Sequence, residues 1–187
     1  MGVPRITAPR RAAFRHGRGD SSATEGDLAA LVRLRDEAAR WMLTRGVTGQ
    51  WLPGELDEDH FRQVMTHGEV WLAEVGGRIA GAWELWWKDE AAWGPQPPVA
   101  GYVHRLMVDR GVAAPGTGRL LLSAAEHRVA AVGRTCVRLD CLAGNAQLNA
   151  YYRHAGYRAV GRKEGKPQPS GTPKSYTLLE KELRKAG

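Results

Sequence analysis

Apolar residues recur at three- and four-residue steps through Leu28, Leu31, Leu34, Ala38 and Trp41/Met42, which predicts a helix over about residues 27–45. Thr24 to Asp27 supply a cap and an acidic first turn, and Gly46 can take the left-handed position after the last turn. A second helix is predicted from Asp57, where three successive acids favour the positive end of the dipole; it buries Phe61, Val64 and Met65 and ends by Gly68. The period then changes. Residues 69–75 and 78–87 are rich in β-branched and aromatic side chains, and Gly76-Gly77 between them is a hairpin signal. Residues 88–99 contain Pro95, Pro97 and Pro98 and read as a loop, followed by a strand over 101–109. A turn-rich loop, 111–118, runs into a helix over about 119–132 with Leu121, Ala125 and Val129 on its buried face. A strand at 136–142, a short helix at 145–154 and strands at 157–162 and 175–183 complete the order, with a weaker first strand near 12–16. This order predicts an α/β (α+β) fold: a mixed, mostly antiparallel sheet of six to seven strands with helices on both faces.

Composition narrows the picture. The 187 residues suffice for one domain with its own core, and no apolar run approaches the roughly 18 to 20 residues of a membrane span. The net charge of +7 invites a nucleic-acid partner, but it sits at the ends. Residues 1–20 hold five Arg against one acid and residues 158–187 hold eight Lys or Arg against three, which leaves the middle slightly acidic. A nucleic-acid binder would place its cations on a folded face among aromatics, so that class loses ground. We therefore expect residues 1–24 to be a basic tail and residues 25–187 a single domain. Cys136 and Cys141 are five apart in one strand, hence on opposite faces and unable to bridge each other. With no apolar leader core at the N-terminus, a reducing, cytoplasmic setting is the simplest expectation.

The chemistry lies in two segments. Val103-His104-Arg105-Leu106-Met107-Val108 is a strand that feeds Ala113-Ala114-Pro115-Gly116-Thr117-Gly118-Arg119, a glycine loop opening a helix. Free backbone N–H groups converge there at a positive dipole end, which suits a phosphate or pyrophosphate. Neither a P-loop nor a dinucleotide fingerprint fits, because no Gly-Lys-Ser/Thr follows and Leu121 stands at the third glycine position. The second segment runs from Asn145 through Tyr151-Tyr152 to Gly156-Tyr157. Together, in this order, the two segments resemble the GNAT superfamily of N-acetyltransferases over roughly residues 25–183.

The resemblance implies acetyl-CoA as co-substrate and no metal. Leu106, Met107 and Val108 would offer backbone groups to the pantetheine arm, residues Ala113 to Arg119 would wrap the pyrophosphate, and Asn145 would hydrogen-bond the arm. Tyr152 matches the family's tyrosine beside the thioester sulfur and would be the general acid. One departure is plain: the family's Arg or Gln at the loop start is Ala113 here. The attacking amine must be neutral, so a base is needed. His104 stands where many relatives carry a Glu base, and Glu84 is the second candidate. Of seven Trp, one or two of Trp51, Trp87 and Trp93 are expected to line an acceptor pocket for an apolar or cationic amine, with Glu84 or Asp89 as charge partner. A small-molecule amine is the expected acceptor and a homodimer is open. A non-catalytic acyl-CoA-binding protein of the same fold and a nucleic-acid-binding module are the competing readings.

Overall fold

A computed structural model describes residues 23–48, 50–75, 77–166 and 173–183, together with the backbone of residues 13–15. Most of the expected tail therefore lies outside the described residues. The strand expected near 12–16 is present as β1, Ala13–Arg15, paired antiparallel with β2, Gly68–Val75. At the first helix, Asp27 accepts hydrogen bonds from the Thr24 backbone N–H and hydroxyl at 2.9 and 2.8 Å, which closes a cap around a short 3-10 turn, Glu25–Asp27. The helix itself, α1, spans Leu28–Thr44. The second, α2, spans Glu58–His67, and its Asp57 cap accepts from the His60 N–H at 3.1 Å.

The remaining elements follow the predicted order: β3 (Arg78–Trp86), β4 (Ala100–Val108), α4 (Thr117–Ala131), β5 (Cys136–Leu142), α5 (Ala146–His154), β6 (Arg158–Lys166) and β7 (Lys174–Glu182). Between β3 and β4 a four-residue helix, α3 (Glu90–Trp93), interrupts the expected loop. Asp89 starts it by accepting from the Ala92 N–H at 3.2 Å, a signal that the neighbouring prolines obscured. β6 runs four residues past its expected end at 162. It is an edge strand of the sheet, and register shifts at Ala159/Gly161 and Lys163/Lys166 let it carry a charged, glycine-containing stretch.

The seven strands form one sheet in the order β1-β2-β3-β4-β5-β7-β6, in which only β4 and β5 are parallel. Both faces are covered. Leu28, Leu31, Leu34, Phe61 and Val64 of α1 and α2 pack with Val70, Leu72 and Ala82 on one face; Leu121, Leu122, Ala125 and Val129 of α4 pack with Trp71, Trp83 and Leu85 on the other. Each such Leu, Val or Phe side chain contributes about 1.5–3 kcal/mol by leaving water. Cys136 and Cys141 are buried and unbridged, in different clusters, as their odd spacing requires. Among the described residues no helix is long and apolar enough to cross a membrane.

Candidate active site

β4 and β5 pair only over Ala100–Tyr102 with Cys136–Arg138, and beyond that point they diverge. The divergence has a local cause. Ala82 and Glu84 on β3 face Met107 and His104 on β4, so three steps on β4 oppose two on β3 and the surplus residue forms a bulge. Within it Arg105 adopts φ 45°, in the left-handed region that a non-glycine residue enters only at a cost of about 1–3 kcal/mol.

Glu84 holds that conformation. Its fully buried carboxylate accepts from Arg105 Nη1 at 2.8 Å and Trp86 Nε1 at 3.1 Å, and His60 Nε2 lies 2.8 Å from its other oxygen. Burial alone would raise its pKa, but Arg105, His60 and Trp86 together more than offset this and hold it at about 2. A carboxylate so occupied is a poor proton acceptor, and it does not border the cavity between the strands. The expectation of Glu84 as a base or as a charge partner for the amine is therefore corrected: its setting suits the anchoring of the β4 bulge.

The cavity has a volume of about 930 Å³. It runs from the glycine loop, past the diverging end of β4, to the side chains of β5, α5 and β7. Leu106, Met107, Val108, Ala113, Ala114, Pro115, Gly116, Thr117, Gly118, Asn145, Tyr152, His104 and Trp51 all line it, as expected. Gly116 caps α4 at φ 88°; in the first turn the Thr117 N–H donates to the Ala114 carbonyl at 3.2 Å and the Arg119 N–H to the Gly116 carbonyl at 2.9 Å, which leaves the Gly118 N–H at the mouth of the loop. At Gly118 a Cβ would come within 3.2 Å of the Tyr151 hydroxyl, so glycine keeps this passage open. Asn145 caps α5 by accepting from Leu148 N–H at 2.9 Å, and its Nδ2 donates to Gln50 Oε1 at 3.3 Å.

Besides Glu84 and Asp89, three expected residues do not border the cavity. Arg119 turns aside and donates to the Ala155 carbonyl at 3.1 Å, tying α4 to the end of α5. Trp87 packs on the α4-side core beneath the Arg134 guanidinium, 4.7 Å from its ring, and Trp93 packs with Ala100, Tyr102 and Cys136 beneath Arg138 at 5.0 Å. Neither indole reaches the cavity, because Trp87 just past the end of β3 and Trp93 at the end of α3 each pack against the sheet under a guanidinium. Trp51, in contrast, is held at the cavity by Arg35. This buried guanidinium lies 4.7 Å over the Trp51 ring, donates to the Leu52 carbonyl at 2.9 Å and pairs with Glu55 at 2.5 Å.

At the far end His104 lies between two carboxylates. Its Nε2 is 3.1 Å from Asp89 Oδ2 and its Nδ1 is 3.9 Å from Asp140 Oδ1. Asp140 lines the cavity and Asp89 does not, so Nδ1 is the nitrogen on the cavity side. Donor atoms of the three residues lie within 4.8 Å of one another, close enough to hold a cation. Tyr152 is raised above the usual phenol range by burial, then by Cys141, Tyr151 and Asp140. Burial, then Asp140, pushes the Cys141 thiol up to about 12, which leaves almost no thiolate for a covalent acyl step. Sequence reasoning missed Asp140, Tyr151, Arg35, Arg105 and Tyr176 at this cavity, although a cation at Arg35 on the apolar stripe of α1 was a readable signal.

A glycine loop at a helix start, a bulged strand splayed from its parallel neighbour and a phenol beside the split are the features that decide the comparison. A model described as Acetyltransferase (GNAT) family matches residues 31–157. The chain belongs to the GNAT acetyltransferase family. It is 30% identical over 167 residues to YesJ of Bacillus subtilis (strain 168), an uncharacterized N-acetyltransferase, covering 84% of this chain and 86% of that one. A GNAT acetyltransferase from Listeria monocytogenes superposes with a TM-score of 0.71 at 26% identity, covering 95% of this chain and 99% of that one. YncA of Salmonella typhimurium, whose structure holds acetyl-CoA, superposes at 0.66 with 15% identity and covers 95% and 96% of the two chains, a likeness of fold. This GNAT protein is thus an N-acetyltransferase.

Proposed function

We propose that this GNAT protein transfers the acetyl group of acetyl-CoA to the primary amine of a small cationic acceptor by direct attack in a ternary complex. One observation carries the reading: one cavity joins the glycine loop at the positive start of α4 to a His104–Asp140 pair at its other end, with Tyr152 on its wall. The first end suits the pyrophosphate and the second suits an amine. Acetyl-CoA bound in YncA supports the same occupant here.

In this mechanism Asp140 attracts the amine, and His104, oriented by Asp89, takes a proton from it. The amine nitrogen bonds to the thioester carbonyl carbon, the C–S bond breaks, the leaving sulfur receives a hydrogen bond and then the proton of Tyr152, and the second proton shed by the nitrogen as it becomes an amide restores the Tyr152 hydroxyl. The raised pKa of Tyr152 keeps it protonated at any pH where the amine reacts. Leu106 to Val108 carry the pantetheine arm, Gly116 to Gly118 the pyrophosphate, and Trp51 borders the acceptor.

Thiol release from acetyl-CoA against a panel of monoamines, diamines, aminoglycosides and peptide N-termini tests this, beside thermal shift with acetyl-CoA and CoA. Cationic small amines should be the best acceptors, and Asp140→Asn should raise their KM while acetyl-CoA binding holds. Peptides as the best acceptors, or no thiol release with any amine, would remove the proposal.

A further inference from the structure

The cations that line the cavity divide into two kinds. Arg35 is paired with Glu55 and Arg105 with Glu84. Arg45 and Arg110 have no carboxylate partner among the described residues. Both instead lie on one indole. The Arg110 Cζ is 3.4 Å from the centroid of the Trp41 ring and the Arg45 Cζ is 5.6 Å from it.

This cluster lies at the loop end of the cleft. Arg110 follows β4 and sits within the turn in which Val112 and Ala113 donate to the Asp109 carbonyl at 3.2 and 2.8 Å, and that turn opens the glycine loop. Trp41 and Arg45 come from the last turn and cap of α1. Two guanidiniums on one ring repel each other, and burial, then Arg45, lowers the Arg110 pKa. Stacking fixes the plane of the Arg110 guanidinium and leaves its N–H edge available. That edge makes one long contact, from Nη1 to the Val108 carbonyl at 3.4 Å. A planar fork of donors held in this way matches phosphate oxygens, and an anion would relieve the repulsion. The loop itself supplies no side-chain cation to the cleft: Ala113 replaces the expected Arg or Gln, and Arg119 is spent on Ala155.

We propose that Arg110 and Arg45, stacked on Trp41, form a phosphate subsite for the nucleotide part of CoA, supplying from outside the loop the cation that Ala113 lacks. It rests on acetyl-CoA as the co-substrate. Either the terminal 3′-phosphate or the pyrophosphate has the required chemistry.

The test is calorimetric titration of the wild type, Arg110→Gln and Arg45→Gln with CoA, with dephospho-CoA, which lacks the 3′-phosphate, and with S-acetylpantetheine, which carries no phosphate. Arg45 is an exposed helix cap, so its variant keeps the question answerable if Arg110→Gln folds poorly. Each variant should bind CoA about five- to tenfold more weakly and bind S-acetylpantetheine as the wild type does. A loss confined to CoA assigns the 3′-phosphate; an equal loss for dephospho-CoA assigns the pyrophosphate. CoA affinities within twofold of wild type in both variants overturn the subsite and leave the acetyl-CoA reading intact. A wild type that binds no CoA overturns both.

Discussion

Replacing Glu84 by Gln keeps the shape of the side chain and removes the charge that Arg105 and His60 face. The carboxyl is held at about 2 in the folded protein against an ordinary value of 4.5, and it is fully buried, so solvent does not screen the effect. A difference of about 2.5 units corresponds to roughly 3 kcal/mol of folding stability at pH 7. The sign follows from the depressed value: between pH 4.5 and 2 the unfolded chain binds the proton and the folded one does not. The contribution is thus complete above about pH 4.5 and is lost as the pH falls through 2. At pH 3.5 roughly 2 kcal/mol of it remains. Urea unfolding of both proteins at pH 7, 5, 4 and 3.5 should show Glu84→Gln less stable by about 3 kcal/mol at pH 7 and by visibly less at pH 3.5. The variant should also turn over more slowly, because Arg105 loses the anchor of its left-handed backbone and the bulge relaxes. A stability gap that stays constant from pH 7 to 3.5 would refute the assignment of Glu84 as a charged anchor.

Tyr152→Phe should lower kcat by about 10²-fold or more while the acetyl-CoA KM changes less than about threefold, and an unchanged kcat would take Tyr152 out of the mechanism. His104→Ala should lose a similar factor and regain part of it with added imidazole; absence of rescue, with the fold intact by circular dichroism, would count against His104 as base. At Gly101 a Cβ would lie 2.3 Å from Val129 Cγ2, so Gly101→Ala should destabilise by about 1–3 kcal/mol, seen as a lower urea midpoint with an unaltered slope. With its thiol raised to about 12, Cys141 should resist iodoacetamide at pH 8 in the native protein and react on unfolding; rapid native alkylation at Cys141 would contradict its burial.

The elements were legible where a period was strong. Leu28 to Met42 and Leu121 to Val129 marked their helices, and the β4-to-α4 loop showed through glycines whose backbone freedom the fold needs at fixed places. What failed was the assignment of faces. β3 is buried on both sides, so Glu84 stands among apolar residues with no alternation to say whether it points into the cavity or into a network. Trp87, just past β3, and Trp93, on the short α3, pack under Arg134 and Arg138, partners remote in sequence. Asp140 and Asp89 come from separate strands and loops and meet His104 only once β4 and β5 have splayed, which no local pattern encodes.

The overall charge and the charge of the site point in different directions, and the site is the better guide. A net +7 describes mainly the chain ends. Within the cleft, Arg35 and Arg105 are neutralised by Glu55 and Glu84, leaving Arg45 and Arg110 near the glycine loop and Asp140 beside His104. Ion pairing thus turns a cavity lined by four Arg into one with a positive end and a negative end. A thioester cofactor with phosphates at one extreme and its acetyl group at the other can then enter in one sense. In the proposed reaction an amine would be drawn to the opposite end, where Asp140 lines the cavity and Asp89 sits against the other ring nitrogen of His104.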